Sequence, residues 1–207
     1  MFKAPLWLHN YPLILASQSK TRAGLMQSAN LYPELYPAHI DERALENQFI
    51  ENNCNPSDTA CELAKAKALN VSALHPKNYV IGADQTLALG DQRFHKPASI
   101  EEARATLQQF SSQTHQLHSG IALAHNGKLV WSHVQTAHMS VRKLSEEFIS
   151  IYLEQAGKTV LTSVGAYQYE GLGVHLFERI IGDQSTILGL PLLPLLAELR
   201  NRKLVLN

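Results

Sequence analysis

Tyr79-Val80-Ile81-Gly82-Ala83-Asp84-Gln85-Thr86 is a short apolar run, rich in β-branched residues and too brief for a helical stripe. Such a run reads as a buried strand of an α/β sheet that ends abruptly in a carboxylate. That places Asp84 at the C-terminal edge of the strand, where ligand crevices form in open α/β sheets, and Gly82 leaves room for a close approach to the backbone. A lone Asp at a strand end is equally a turn former or helix cap, so its meaning depends on the rest of the chain.

Upstream, Leu13 to Ser17 forms a second compact apolar strand, followed by Gln18-Ser19-Lys20-Thr21-Arg22 and a helical stripe through Leu25, Met26 and Ala29. Ser19 is the expected N-cap. Hydroxyls and backbone N–H groups at a helix N-terminus make an anion seat. Lys20 and Arg22 in the first turn oppose the helix dipole, so a ligand explains them better than stability does, although a capped surface helix with solvated cations accounts for the same residues. A further strand is expected near Leu35 to Ile40. Asp41-Glu42-Arg43 then offers adjacent carboxylates that either cap the next helix or supply oxygen ligands to a hard cation.

The spacing predicts a helix from Pro56-Ser57 to about Ala73, with Ala60, Leu63, Ala64, Ala68 and Val71 as its apolar stripe. Lys67 falls inside that stripe, while Lys65 points away. An inward-facing cation either snorkels at a rim or meets an anion, because burying it unpaired costs several kcal/mol. After Asp84 the chain continues extended, turns at Gly90-Asp91 and returns through Phe94-His95-Lys96-Pro97, where the proline holds Lys96 on extended backbone. Ser99-Ile100-Glu101-Glu102 is a capping box for a scaffold helix. Gln116 to Ala124 and Leu129 to Val141 read as a hairpin turned at Asn126-Gly127. His118, His133 and His138 lack metal-ligand spacing and read as surface histidines.

Ser145 caps a helix with the stripe Phe148, Ile149, Tyr152 and Leu153, stopped at Gly157. Ser163 to Gly173 sets three glycines around two tyrosines and Glu170, a close-packed turn that approaches a ligand or another backbone. Val174 to Ile181 is an expected strand. A leucine-rich core helix follows Pro191, which lies near N1.

With 207 residues, 45% apolar and 17% charged, the chain can bury a full core as one large domain or two lobes sharing a sheet. Eighteen basic residues balance eighteen acidic ones, so no basic field advertises nucleic acid, and any bound anion must be held by a few placed cations. Cys54 and Cys61 have no partner pattern for zinc or a disulfide framework. Met1 to Pro12 carries no apolar signal core and no later run approaches membrane length, so a cytoplasmic protein without membrane association is expected.

Several of these segments, in order, resemble the Maf family of nucleoside triphosphate pyrophosphatases. Ser17 to Arg22 is similar to that family's Leu-Ala-Ser-x-Ser-Pro-Arg-Arg loop, with Lys20 for Pro and Thr21 for the first Arg. Leu63-Ala64-x-x-Lys67-Ala68, Lys96-Pro97 (with His95 for the family's Gly), the Thr114-His115 loop end, Gly165-Ala166-Tyr167, Gly182-Asp183 and Gly189-Leu190-Pro191 match further motifs. Gln85 stands for the family's Thr, Ser163 for Lys and Glu170 for Gln.

The resemblance implies a single Maf-like α/β domain over residues 1–207. Its fold is a mixed twisted sheet with flanking helices and two lobes around a central cleft, of Maf/ITPase-like type. It also implies hydrolysis of (d)NTPs, including unusual or modified ones, to NMP and pyrophosphate. Ser17, Ser19, Lys20, Arg22 and Glu170 would bind substrate, and Glu170 would bear on which base is accepted. Lys67 and Lys96 would face phosphates. Glu42, with Asp41 second, and Asp84 would hold Mg²⁺ or Mn²⁺, and Asp84 would be the proton acceptor. A homodimer is expected from the family. The alternative is a non-catalytic module that binds a nucleotide or a cell-division (septum) partner, motivated by the changes at Thr21, Gln85, Ser163 and Glu170.

Overall fold

The computed structural model describes residues 6–206, so part of the Met1 to Pro12 stretch lies outside the described residues. The strands are β1 (Ile14–Leu15), β2 (Glu34–Leu35), β3 (Tyr79–Leu89), β4 (Gln92–Phe94), β5 (Thr114–His125), β6 (Lys128–Val141) and β7 (Phe177–Ile181). The helices are α1 (Lys20–Ser28), α2 (Glu42–Glu51), α3 (Pro56–Leu74), α4 (Ile100–Phe110), α5 (Glu146–Ala156), α6 (Gln184–Ile187) and α7 (Leu192–Asn201). The strands form one mixed sheet in the order β2-β1-β3-β5-β6-β7, with β4 paired to β3. β1 runs parallel to β2 and β3, whereas β3–β4 and β6–β7 are antiparallel. Among the described residues, no helix is long and apolar enough to cross a membrane.

The chain divides into two compact units: Met1–Gln85, His118–Gln135 and Gln184–Asn207 form the first, Thr86–Leu117 and Thr136–Asp183 the second. In the first unit the period of two along each strand sorts side chains to two covered faces. Leu15, Ile81, Ala83, Ile121 and Leu123 pack with Ala23 and Met26 of α1 and Leu195 and Leu199 of α7. Their sequence neighbours Ile14 and Val80 pack with Val71 of α3, and Ala122 and Ala124 with Ala64 and Ala68. A continuous apolar strand such as Leu13-Ile14-Leu15-Ala16 is what a sheet covered on both sides requires.

The α3 face is lined by small residues because the helix lies unusually close. A Cβ at Gly82 would sit 2.1 Å from the Ala64 carbonyl oxygen, and one at Gly120 would sit 2.2 Å from that of Ala60. What approaches the backbone at Gly82 is therefore a helix. This docking fixes which side chains of α3 reach the strand residues beyond Gly82.

In the second unit, α4 and α5 start where expected: Ser99 Oγ accepts from Glu102 N at 3.2 Å and Ser145 Oγ from Phe148 N at 3.1 Å. Phe110 stacks on the buried His115 ring, with centroids 4.4 Å apart and planes 20° apart. His115 Nε2 pairs with the Tyr167 hydroxyl at 2.7 Å. Back in the first unit, the hairpin turn has Asn126 at φ 52° and Gly127 at φ 68°, as a type I′ turn demands.

Several expectations change. β3 does not end at Asp84 but runs on to Leu89, because Leu87 and Ala88 restore the buried pattern and β4 supplies a new partner at Leu87–Leu89. What ends near Asp84 is the parallel pairing with β1, whose last register pair is Leu15 with Ile81. β2 is only two residues long, and residues 172–176 form a 3₁₀ turn, so the last strand begins at Phe177 rather than Val174. Pro191, expected near N1, occupies the adjacent N-cap position of α7. His118 is buried, not a surface residue, since it lies in the interior run of β5.

Candidate active site

Strand parity aims Asp84 and Gln85 at opposite faces. Asp84 follows Val80 and Gly82 toward α3, where Lys67 replaces an apolar residue in the helix's inward stripe. Lys67 Nζ donates to Asp84 Oδ1 at 2.6 Å and to Glu42 Oε2 at 2.8 Å. Lys67 and Asp84 are each 8% exposed, whereas the Glu42 side chain is 55% exposed. The lysine in the stripe thus meets anions, as its burial requires. Its two partners come from strand and helix N-terminus, 17 and 25 residues away in sequence.

Glu42 is free for this role because its neighbour does the capping: Asp41 Oδ1 accepts from Ala44 N at 3.0 Å. Lys65, on the other side of α3, pairs with Glu62 at 2.7 Å.

Across the sheet, Arg22 reaches from α1 to the loop behind α6. Its Nε donates to the Gly189 carbonyl at 2.8 Å, and its Nη1 donates to the Ala83 carbonyl at 2.9 Å and the Ser17 hydroxyl at 3.5 Å. Ser19 caps α1, its Oγ accepting from Arg22 N at 3.3 Å, and Ser17 Oγ accepts from Ser19 N at 3.1 Å. Burial pulls the Arg22 guanidinium below its ordinary pKa, while Asp84 first and Glu42 second push it back up. An arginine this basic stays charged. Lys20, one residue into α1, is exposed.

Gln85 faces the same side as Ala83. Its Nε2 donates to Ser119 Oγ at 2.9 Å, Ile187 O at 3.0 Å and Thr186 O at 3.1 Å. Ser119 Oγ in turn donates to Thr186 O at 2.7 Å. The segment carrying Gly189 is therefore pinned by the residue next to Asp84, and Gly189 takes φ 86°, a conformation suited to glycine. Sequence reasoning noted Gln85 only as a departure from the family pattern. Its parity, opposite to that of Asp84, was the signal for a second polar cluster.

One strand thus brings together Asp84, Lys67 and Glu42 on one face, and Arg22, Ser17 and Ser19 around its other. Lys96 and Glu170 belong to the second unit: Lys96 is exposed beside the buried Pro97, and Glu170 is exposed in the turn over residues 163–173. In that turn a Cβ at Gly173 would lie 2.4 Å from the Gln168 carbonyl oxygen, so the glycine serves backbone-to-backbone packing.

Chemically, the Asp84 cluster holds a desolvated carboxylate against one ammonium, with a fixed guanidinium adding positive charge. Glu42 Oε1 and Asp84 Oδ2 take no hydrogen bond from the described residues and are hard oxygen donors. With Glu42 half in solvent, the pair fits a cation that keeps several waters, as Mg²⁺ does. No group of three or more His, Cys, Asp or Glu among the described residues is arranged as a metal cage, so other positions would have to be filled by water or substrate.

A family model described as "Maf-like protein" matches residues 12–202. A 7-methyl-GTP pyrophosphatase of Brucella suis biovar 1 is 52% identical over 193 residues, covering 93% of this chain and 97% of that protein. A nucleoside triphosphate pyrophosphatase of Bradyrhizobium diazoefficiens is 52% identical over 200 residues, covering 97% and 98%. A 7-methyl-GTP pyrophosphatase of Rhizobium meliloti is 50% identical over 188 residues, covering 91% and 94%.

Proposed function

Because the chain belongs to the family of Maf-like proteins, we infer that it is a nucleoside triphosphate pyrophosphatase, converting a nucleoside triphosphate and water to the monophosphate and pyrophosphate. The observation that carries the chemical reading is the Asp84 carboxylate, buried yet held by Lys67, with the Arg22 guanidinium near enough to interact with it electrostatically. Cleavage between the α- and β-phosphates needs charge neutralisation, an in-line water and removal of that water's proton.

Asp84 is our choice of proton acceptor, a role worth ~10²–10⁴-fold when the carboxylate is correctly placed. In the nucleotide-free protein Lys67 orients that carboxylate. Arg22, immobilised on the Gly189 and Ala83 carbonyls, presents a preorganised cation to the phosphates, and preorganised charge loses no energy to rearrangement during reaction. Ser17, Ser19 and Lys20 at the start of α1 complete an anion seat on this unit. Lys96 would face phosphate and Glu170 the base, two roles that rest on the family resemblance. Glu42 and Asp84 would hold a divalent cation, Mg²⁺ or Mn²⁺, which when bound screens the phosphate charge. We place the protein in the cytoplasm, where nucleoside triphosphates are found.

The base is the finer question. Relatives of equal identity carry the methylated and the general name, so overall similarity does not choose between them. The test is pyrophosphate release from purified protein with Mg²⁺ over a panel of purine, pyrimidine and 7-methylated triphosphates. Release from at least one member is expected; tight nucleotide binding with no release from any would instead support the non-catalytic module.

A further inference from the structure

We propose that Lys67 is an exchangeable internal counter-ion, so that a divalent cation and the Lys67 ammonium compete for the Glu42–Asp84 pair and the nucleotide's phosphates decide between them. This rests on the reading of Glu42 and Asp84 as the metal pair, and it concerns the order in which that site fills.

One oxygen of each carboxylate is committed to the same ammonium, at 2.6 Å and 2.8 Å. An ammonium nearly buried between two carboxylates supplies the positive charge a divalent cation would bring. The cation therefore meets a pair whose charge is already half neutralised, with a like charge in contact with both ligands. At contact range like charges cost several kcal/mol in a partly buried setting, so metal affinity is low while Lys67 stays in place.

Lys67 is able to leave. Its side chain is a flexible four-carbon stem, and an ammonium has no fixed fork to satisfy. The Glu42 half of its contact is open to solvent, with 55% of that side chain exposed. What it needs is another anion, because withdrawing it into a buried apolar setting would leave the charge unpaired. A triphosphate is such an anion. Arg22 does not substitute for it: its Nε and Nη1 are held by the Gly189 and Ala83 carbonyls, so the guanidinium is anchored while the ammonium is mobile.

Two consequences follow. Without nucleotide, the protein binds Mn²⁺ weakly, and replacing Lys67 by a neutral residue of similar length tightens that binding. With nucleotide, Lys67 transfers to phosphate and the penalty disappears, so the nucleotide strengthens metal binding in wild type more than in the neutral variant. Couplings of this kind typically span 5- to 150-fold, and by linkage the effect is reciprocal.

The experiment measures Mn²⁺ affinity by electron paramagnetic resonance on nucleotide-free wild type, Lys67→Met and Lys67→Arg, and repeats it with a non-hydrolysable α,β-methylene triphosphate. Lys67→Met is expected to bind Mn²⁺ about ten-fold tighter than wild type without nucleotide. Lys67→Arg, which keeps the charge, should remain as weak as wild type. Equal affinity in all three proteins overturns the proposal while leaving the metal assignment intact. Absence of Mn²⁺ binding beyond that of the analogue alone, in every protein, sinks the metal assignment and the proposal with it.

Should Lys67→Met not fold, ¹⁵N-lysine NMR of wild type reads the same point. The Lys67 ammonium resonance is expected to stay in place with Mg²⁺ alone and to move with the analogue alone; the reverse pattern overturns the proposal.

Discussion

Lys67 Nζ lies 2.6 Å from Asp84 Oδ1, with both groups nearly buried, and this pair organises the candidate site. A pair so placed is strongly coupled, because removing Lys67 takes from the buried Asp84 its ammonium partner and removing Asp84 leaves Lys67 only the half-exposed Glu42. A double-mutant cycle with Asp84→Asn and Lys67→Met, read by urea unfolding, should therefore return an interaction energy of about 1–3 kcal/mol. Additive effects of the two substitutions would show that the contact carries no energy.

Arg22 should tolerate no conservative exchange. Lysine offers a point charge and cannot keep both the Gly189 and Ala83 carbonyls satisfied. Arg22→Lys is expected to lower kcat/KM by roughly 10- to 100-fold and stability by about 1–3 kcal/mol, through partly buried carbonyls left unpaired. A variant with wild-type melting temperature and turnover would contradict both effects.

Close docking of α3 makes a separate forecast for stability. Gly82→Ala and Gly120→Ala each drive a methyl into helix backbone at 2.1 Å and 2.2 Å, and overpacking of that kind costs about 1–3 kcal/mol or more. Gly24 sits within α1 with nothing inside 4 Å of an added Cβ, so Gly24→Ala should stabilise by up to about 1 kcal/mol. Thermal melts of the three variants check the ordering, and an unchanged melting temperature for Gly82→Ala would refute the close approach.

The buried His115 sets a pH dependence. Burial lowers its pKa from 6.5 to about 3, so the native ring stays neutral while the unfolded chain takes up a proton below pH 6.5. Its contribution is complete above pH 6.5 and is lost as pH falls toward about 3, at a slope of up to roughly 1.4 kcal/mol per pH unit. His115→Gln should flatten that slope between pH 6.5 and 4 in urea titrations. A slope unaffected by the substitution would assign the acid sensitivity elsewhere.

Much of the site was legible because its anomalies are local. Lys67 is conspicuous as a cation in an apolar helical stripe, and Ser19 as a hydroxyl at the start of a helix. The partners were not legible: nothing in the periodicity says that the inward lysine meets Glu42 and Asp84 rather than phosphate alone, since those contacts close across 25 and 17 residues. Gly82 was legible only in part, for a related reason. A glycine reports that something comes close, and only packing reveals that it is the Ala64 turn of α3. The extent of β3 was missed because strand length depends on which neighbours pair with it, and β4 is a neighbour only once the Gly90 turn forms. Gln85 shows the limit best, because a substitution relative to a family pattern suggested lost function, whereas its amide holds Ser119 and the carbonyls of Thr186 and Ile187.

The reading of Asp84 as proton acceptor is tested most directly by pyrophosphate release from wild type and Asp84→Asn, side by side, with Mg²⁺ and the best triphosphate of the panel. A fall of ~10²–10⁴-fold in turnover, with a cooperative melt retained, is the predicted result. Equal release by the two proteins would contradict it.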